Sequence, residues 1–312
     1  MNFDRRMIPA GAIIGAWRAA DGWPHRVFDW SAEESRGSLL FLGGRGDIFE
    51  KYFEAFDHWR RAGWSIGSFD WRGQGGSGRL SADPMSGHIS DFGPWIDDLA
   101  AYFDEWARSR KGPHVVVAHS MGGHLVLRAL AERRIAPAAV VLVAPMLGLR
   151  SAPFGPKIGA RLAALMTRIG RPERLAWKVN ERPSVPGASR QALLTHDSDR
   201  YADELWWKAH DPAIAVGPPS WAWVAAAYRS TAALESPGAL EGVMTPLLLL
   251  GAAADRLVDP AAITRAAARL PNATLRMWGP ESAHEILREV ASVRDAALAE
   301  IDRFLDAHAP RT

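Results

Sequence analysis

The chain has 312 residues, 48% of them hydrophobic, enough for one large α/β core or for a core carrying a smaller inserted piece, and this excludes a disordered polymer. Its 37 Lys and Arg stand against 35 Asp and Glu, and a formal net charge of +2 is too small to predict a nucleic-acid partner. The absence of cysteine excludes disulfides, thiolate metal sites and a cysteine nucleophile, and it fits a cytoplasmic protein.

The first thirty residues lack the uninterrupted apolar stretch and small-residue cleavage site of a secretory signal. No window reaches the roughly 18 apolar residues of a membrane span. The expectation is a cytoplasmic protein, compatible with transient contact at a membrane surface. Strand-like runs then follow at 38–44, 64–70, 114–119, 139–145, 246–252 and 274–279, with helix-like periodicity between several of them. Several runs are apolar throughout, as parallel strands buried on both faces must be. The pattern predicts an α/β fold with a mostly parallel sheet.

Residues 70–79, "DWRGQGGSGR", contain Gly73-x-Gly75-x-x-Gly78 after a strand-like run, the spacing of a dinucleotide-binding loop. The context argues against it. Pro84 and Gly87 break the helix that should follow, and Asp97 and Asp98 fall in a later helical stretch rather than at the end of a second strand. No NAD is implied, and Asp70 and Arg72 are expected to pair locally. The "RGD" at 45–47 is read as chance.

"VVVAHSMGGHLVLRAL" (115–130) places Ser120 between a buried strand and an apolar helix, with Gly122 and Gly123 next. A serine at such a junction sits on a sharp turn with its hydroxyl at the sheet edge. Its neighbours must be small because two backbones pass close together. This is a G-x-S-x-G type elbow with Ala118 in place of the first glycine. An ordinary N-cap serine on a glycine-rich turn has the same local pattern, so the elbow alone does not decide. A serine nucleophile also needs a base and an orienting acid, and after an elbow of this kind the chain order is Ser, acid, His. Asp255 follows one strand-like run and His284 the next, which gives that order along one sheet edge. Asp259, just before Pro260, fits a helix N-cap. His119 competes as base, but beside the elbow its ring should point away from the Ser120 hydroxyl.

Between about 146 and 232 the alternation breaks. Pro153, Pro156, Pro172, Pro183, Pro186, Pro212, Pro218 and Pro219 interrupt the helical stretches, and Trp177, Trp206, Trp207, Trp221 and Trp223 occur among them. The segment is read as a helical cap, residues 146–232, inserted between core parts 1–145 and 233–312. An apolar cap suits an acyl chain, and Trp177, Trp206, Trp221 and Trp223 are candidate contacts, although cap packing alone would also use tryptophans.

Through "FLGGRGDIFEKY", "DWRGQGGSGR", "AHSMGG", "LTHDSDRY", "VGPPSWAWV", "DRLVD" and "AHEILRE", the chain resembles the α/β-hydrolases, in the branch of monoacylglycerol lipases, bacterial lysophospholipases and S33-type serine aminopeptidases. The resemblance implies an α/β-hydrolase fold with a cap, a serine esterase acting on lipid esters, and no cofactor or metal. It makes Ser120 the nucleophile, Asp255 the acid and His284 the base, with the amides of Met121 and Arg45 as the oxyanion hole. Two departures stand out. Gly43-Gly44 replaces the His-Gly of many relatives, and the "GAAAD" loop is one residue longer than G-x-x-D, with Asp259 as the alternative acid. The other functions to be weighed are an esterase or amidase for non-lipid substrates and a ligand-binding protein without turnover. The phosphate of a lysophospholipid would look to cap cations such as Lys157, Arg161 or Arg200.

Overall fold

Strands apolar at every position must be covered on both faces, and the sheet is built accordingly. The computed structural model describes residues 3–151, 155–177 and 188–311. Pro153, Pro183 and Pro186 lie outside the described residues. The strands are β1 (Ile13–Arg18), β2 (Pro24–Trp30), β3 (Gly37–Leu42), β4 (Trp64–Phe69), β5 (His114–His119), β6 (Ala139–Val143), β7 (Leu247–Ala252) and β8 (Ala273–Trp278). They form one sheet in the order β1-β2-β4-β3-β5-β6-β7-β8, parallel from β4 to β8 and antiparallel where β2 meets β1 and β4.

Alternation along each strand divides the core in two. Leu40, Leu42, Val116, Leu142 and Leu249 point to a face covered by α2 (Gly93–Ser109), α3 (Met121–Ala131) and α8 (Pro260–Arg269). Leu39, Phe41, Val117, Val141 and Leu250 point to the other, covered by α1 (Phe53–Arg61) and α9 (Ala291–His308). Helices on both faces of a mostly parallel sheet are the architecture expected of an α/β-hydrolase.

Between β6 and β7 the described residues contain α4 (Gly155–Arg168), α5 (Ala188–Leu194), α6 (Ser198–His210) and α7 (Trp221–Glu235). α7 runs through the expected boundary at 232, and Trp223 to Ala227 and Leu234 join the core cluster that also holds α3. The N-terminal hairpin β1–β2 has no counterpart among the strand-like runs. β1 lies at the sheet edge, its Ile13 is 67% exposed, and an edge strand needs no continuous apolar run to be stable.

Candidate active site

Ser120 lies between β5 and α3 with φ 52° and ψ −117°, a conformation that L residues avoid and that the surrounding bonds enforce. Its N–H donates to the Val143 carbonyl (2.9 Å), and its carbonyl accepts from Met146 (2.9 Å) and His124 (3.1 Å). The small neighbours have a steric cause. A Cβ on Gly122 would stand 2.5 Å from the Gly43 carbonyl oxygen and 2.6 Å from that of Leu42, and one on Gly123 would stand 3.0 Å from the Pro145 Cβ.

Asp255 follows β7 and His284 follows β8, so with Ser120 after β5 all three reach the C-terminal edge of the sheet. His284 Nε2 is 2.9 Å from Ser120 Oγ, and His284 Nδ1 is 2.6 Å from Asp255 Oδ2. Asp255 Oδ1 accepts from the amides of Leu257 (2.8 Å) and Val258 (3.1 Å). Asp255 is 1% exposed and His284 3%. Burial pushes the Asp255 carboxyl up, but the His284 charge, its hydrogen bond and the two amides hold it below the usual range. Burial pushes His284 down, and the adjoining Asp255 carboxylate more than offsets this, leaving the imidazole above its ordinary value. A hydroxyl, an imidazole and a buried carboxylate in hydrogen-bonded series can activate the hydroxyl as a nucleophile. Asp259 instead caps α8, accepting from the Ala261 amide.

His119 is turned elsewhere. Its Nδ1 meets Asp47 Oδ2 and Tyr52 Oη, both at 2.9 Å, while its ring packs 4.9 Å from that of His284. Asp47, the acid of "RGD", also accepts from the Gly44 amide (2.7 Å) and from Lys51 Nζ (2.6 Å). Lys51 reaches Glu285 Oε1 (2.6 Å) and Glu204 (3.1 Å), and Arg288 pairs with Glu285. This buried network joins α6 to the residue beside His284. Burial opposes charge on Asp47, yet Lys51 and His119 hold its carboxyl well below the usual range. Asp47–Lys51 and Glu285–Arg288 are local pairs, but nothing in the sequence pattern joins them to each other or to His119 and Glu204, which come from distant segments.

The glycine loop has a different occupant from a pyrophosphate. Gly75, at φ 51°, lies so close to Asp70 that an added Cβ would stand 2.3 Å from its carboxyl carbon, and the Gly76 amide donates to Asp70 Oδ2 (2.8 Å). The loop wraps the chain's own carboxylate. The expected Asp70–Arg72 pair does not form: Asp70 pairs with Arg26 (3.1 Å), and Arg72 with Asp98 (2.7 Å) and Asp21 (2.5 Å). On leaving β4 the two side chains project to different sides, toward β2 and toward α2 respectively.

A cavity of about 150 Å³ opens over Ser120 and His284, walled by Met146, Leu149, Leu193, Leu257, Trp177 and Trp223, with Arg45 and Met121 also on its lining. Of the four candidate tryptophans it therefore takes Trp177 and Trp223. Trp206 stacks on His210 with ring centroids 3.7 Å apart, away from the cavity. Trp221, two residues before Trp223 on the same helix, points about 200° away from it and cannot share its wall. Arg45 extends its guanidinium to the Gly217 carbonyl (2.9 Å) and lies 5.7 Å from the Trp223 ring. Among the cations considered for a phosphate, Arg200 pairs with Glu54 and Asp197, and Lys157 and Arg161 lie exposed on α4. Among the described residues no cluster of three or more His, Asp and Glu is arranged to hold a metal ion.

Residues 33–291 match the family described as serine aminopeptidase, S33. Lysophospholipase L2 of Escherichia coli (strain K12) is 31% identical over 96% of this chain and 91% of its own length. A probable lysophospholipase L2 of Haemophilus influenzae is 27% identical over 87% and 84%. Among solved structures, a soluble variant of the monoglyceride lipase of Saccharomyces cerevisiae in complex with a substrate analogue superposes with a TM-score of 0.77 at 17% identity, covering 96% of this chain and 97% of its own. The monoacylglycerol lipase of Paleococcus ferrophilus gives 0.67 at 21% identity, covering 90% and 98%. The chain belongs to the serine aminopeptidase S33 family of α/β-hydrolases.

Proposed function

We propose that this protein is a serine hydrolase that cleaves carboxylic esters of lipids with a single long acyl chain, of the lysophospholipid or monoacylglycerol type. The observation that carries the reading is the Asp255–His284–Ser120 series, at 2.6 and 2.9 Å, beneath a largely apolar cavity whose lining also holds Arg45, Asp47, Arg190 and Glu285. His284 Nε2 takes the Ser120 proton as Oγ attacks the ester carbonyl. Asp255 holds the tautomer that leaves Nε2 unprotonated and favours the imidazolium that forms. His284 then returns the proton to the departing glycerol oxygen. Water, deprotonated by the same nitrogen, releases the fatty acid from the acyl-enzyme and regenerates the serine.

The tetrahedral oxyanion is assigned to the amides of Met121 and Arg45. Met121 opens α3, so its N–H has no intrahelical partner. Arg45 lines the cavity beside Ser120, in a loop held by the bonds of the Gly44 amide to Asp47 and of the Gly46 amide to Gln74 Oε1 (2.6 Å). Loss of one such donor typically costs about 3 kcal/mol of transition-state stabilisation. The acyl chain is assigned to the wall formed by Trp177, Trp223, Leu193 and Leu257, where each methylene removed from water contributes about 0.8 kcal/mol. The relatives' names, lysophospholipase L2, support the lipid reading. The family's description as serine aminopeptidases favours a second one, cleavage of an N-terminal amide.

The test is hydrolysis of p-nitrophenyl esters from acetate to palmitate, of monoacylglycerol and lysophosphatidylcholine, and of aminoacyl p-nitroanilides. Wild type, Ser120→Ala and His284→Ala are compared. Long-chain esters cleaved by wild type and lost by about a millionfold in each variant are the expected result. Turnover of anilides alone moves the assignment to the amide reading, and folded wild type inactive on every substrate refutes both.

A further inference from the structure

Residues 43–47, "GGRGD", pass Ser120 too closely for a side chain at Gly44. A Cβ there would stand 2.9 Å from the Ser120 Cβ, 3.1 Å from Asp47 Oδ2 and 3.2 Å from His119 Nδ1. The Gly44 backbone is therefore in contact with both the nucleophile and the Asp47 carboxylate. Asp47 also closes this stretch into a turn from both ends. The Gly44 amide donates to Asp47 Oδ2 (2.7 Å), and the Asp47 amide donates back to the Gly44 carbonyl (3.4 Å). Gly46, at φ 69°, fills the turn position that calls for a left-handed residue. Arg45 stands at the other corner, so its peptide is set by bonds that begin and end on Asp47.

The same carboxylate reaches the other two parts of the site. Tyr52 Oη (2.8 Å) and His119 Nδ1 (2.9 Å) meet Asp47 Oδ2. His119 immediately precedes Ser120, and its Nε2 lies 3.4 Å from the His284 carbonyl. Asp47 Oδ1 accepts from Lys51 Nζ (2.6 Å), which also donates to Glu285, the residue after His284 (2.6 Å). Although Asp47 is on the cavity lining, its side chain is only 8% exposed, and both oxygens are committed to these partners. A carboxylate so placed does no chemistry on a substrate; it sets where neighbouring backbone groups stand.

We propose that Asp47 is a positioning residue for acyl transfer: its carboxylate fixes the turn that presents the Arg45 amide to the oxyanion, and ties that turn to the residues adjoining Ser120 and His284. The inference rests on the oxyanion-hole reading given above. A hydrogen-bond donor lowers the barrier only when it already stands where charge develops, so loss of Asp47 weakens binding of the tetrahedral state and leaves binding of the substrate nearly unchanged. The role is carried by geometry rather than by charge. Gly44, Tyr52 and His119 all converge on Oδ2, so the oxygen of an asparagine takes that place. Its amide nitrogen then faces Lys51, which keeps Glu204 (3.1 Å) and Glu285 (2.6 Å) as partners. Alanine supplies no acceptor at all.

The experiment compares wild type, Asp47→Ala, Asp47→Asn and Asp47→Ala/Lys51→Met. It measures kcat and KM for p-nitrophenyl butyrate and an aminoacyl p-nitroanilide, and Ki for a trifluoromethyl ketone, on which a serine nucleophile forms a tetrahedral oxyanion. The double variant removes the buried ammonium with the carboxylate, and so carries the test if Asp47→Ala alone does not fold. The expected result for both alanine variants is a fall in kcat of about 100-fold, KM within about threefold, and a rise in Ki matching the fall in kcat/KM. Asp47→Asn should stay within about tenfold of wild-type kcat. A rise in KM with kcat held would make Asp47 a substrate contact, and an asparagine variant as slow as the alanine would make its charge the cause. Either result, or an unchanged kcat or Ki in the alanine variants, overturns the proposal. Wild type that cleaves the anilide alone, with kcat lost in the alanine variants, supports the proposal and removes the lipid-ester reading. A folded wild type that cleaves neither substrate overturns both.

Discussion

Replacing Asp255 by Asn tests the acid in the series and the logic that assigns it. Asp255 is 1% exposed, and its two oxygens have different partners: Oδ1 accepts from the Leu257 and Val258 amides, and Oδ2 faces His284 Nδ1 at 2.6 Å. An asparagine must keep its oxygen toward the two amides, because an N–H cannot face two N–H groups. Its amide nitrogen then points at His284 Nδ1 and donates to it. Nδ1 becomes the acceptor, the imidazole proton moves to Nε2, and the nitrogen 2.9 Å from Ser120 Oγ can no longer accept. The imidazolium also loses its counter-charge. Together these predict a fall in kcat of about ten-thousandfold, or about 5 kcal/mol, with the fold retained.

The pH dependence provides an independent sign. His284 must be neutral to act as base, and with Asp255 ionised it titrates above the ordinary histidine value, so wild-type kcat/KM should climb with pH through a midpoint above 6.5. Without the Asp255 carboxylate, burial is opposed only by the smaller influence of Glu285 and Asp47, and the midpoint of the residual activity should move to lower pH. The assay is kcat and kcat/KM for p-nitrophenyl butyrate across the neutral range, with thermal unfolding as the control. Asp255→Asn within about tenfold of wild type, together with an inactive Asp259→Asn, would refute the assignment and give the role to the residue that here caps α8.

Lys51→Met removes the cation shared by Asp47, Glu204 and Glu285, and leaving buried carboxylates short of a partner should cost about 3–5 kcal/mol in urea unfolding; a cost below 1 kcal/mol would mean the network relaxes or takes in water. Gly122→Ala drives a Cβ into two backbone carbonyls at 2.5 and 2.6 Å and should destabilise by about 1–3 kcal/mol. It should also lower kcat, since one of those carbonyls belongs to the loop carrying Arg45; full activity would remove that loop from the site. Asp70 is raised to about 7, chiefly by burial, with Arg26 opposing and Glu50 reinforcing the shift. The folded state therefore binds its proton more tightly than the unfolded state. That stabilisation is complete below the ordinary carboxyl value of 3.8 and is lost as pH rises through about 7. Asp70→Asn should flatten the decline in urea stability over this window, and an unchanged slope would show that Asp70 does not carry it.

The legible parts of this protein were those written in contiguous residues. Residues 114–119 are apolar enough to require burial on both faces, and β5 spans those residues. Asp259 before Pro260 is a local cap signal, and it caps α8. The order Ser120, Asp255, His284 could be read because each follows its own strand, and parallel strands deliver their C-terminal ends to one edge. β1 was not legible, since it is an edge strand whose short apolar run, Ile13 to Trp17, is interrupted by Gly15 and left largely exposed.

The sequence by itself therefore determined the parallel sheet, the strained turn at Ser120 and the order of the three groups beside it, because strand burial and turn sterics act between neighbours in the chain. Only the tertiary structure decided which charges pair and which tryptophans face the cavity. Asp70 meets Arg26 across two strands, Asp47 meets His119 from 72 residues away, and Trp223 lines the cavity while Trp221 does not. Such choices depend on side-chain direction and on desolvation by distant segments, and a carboxylate's partner is set by whichever cation the fold brings to within hydrogen-bond reach.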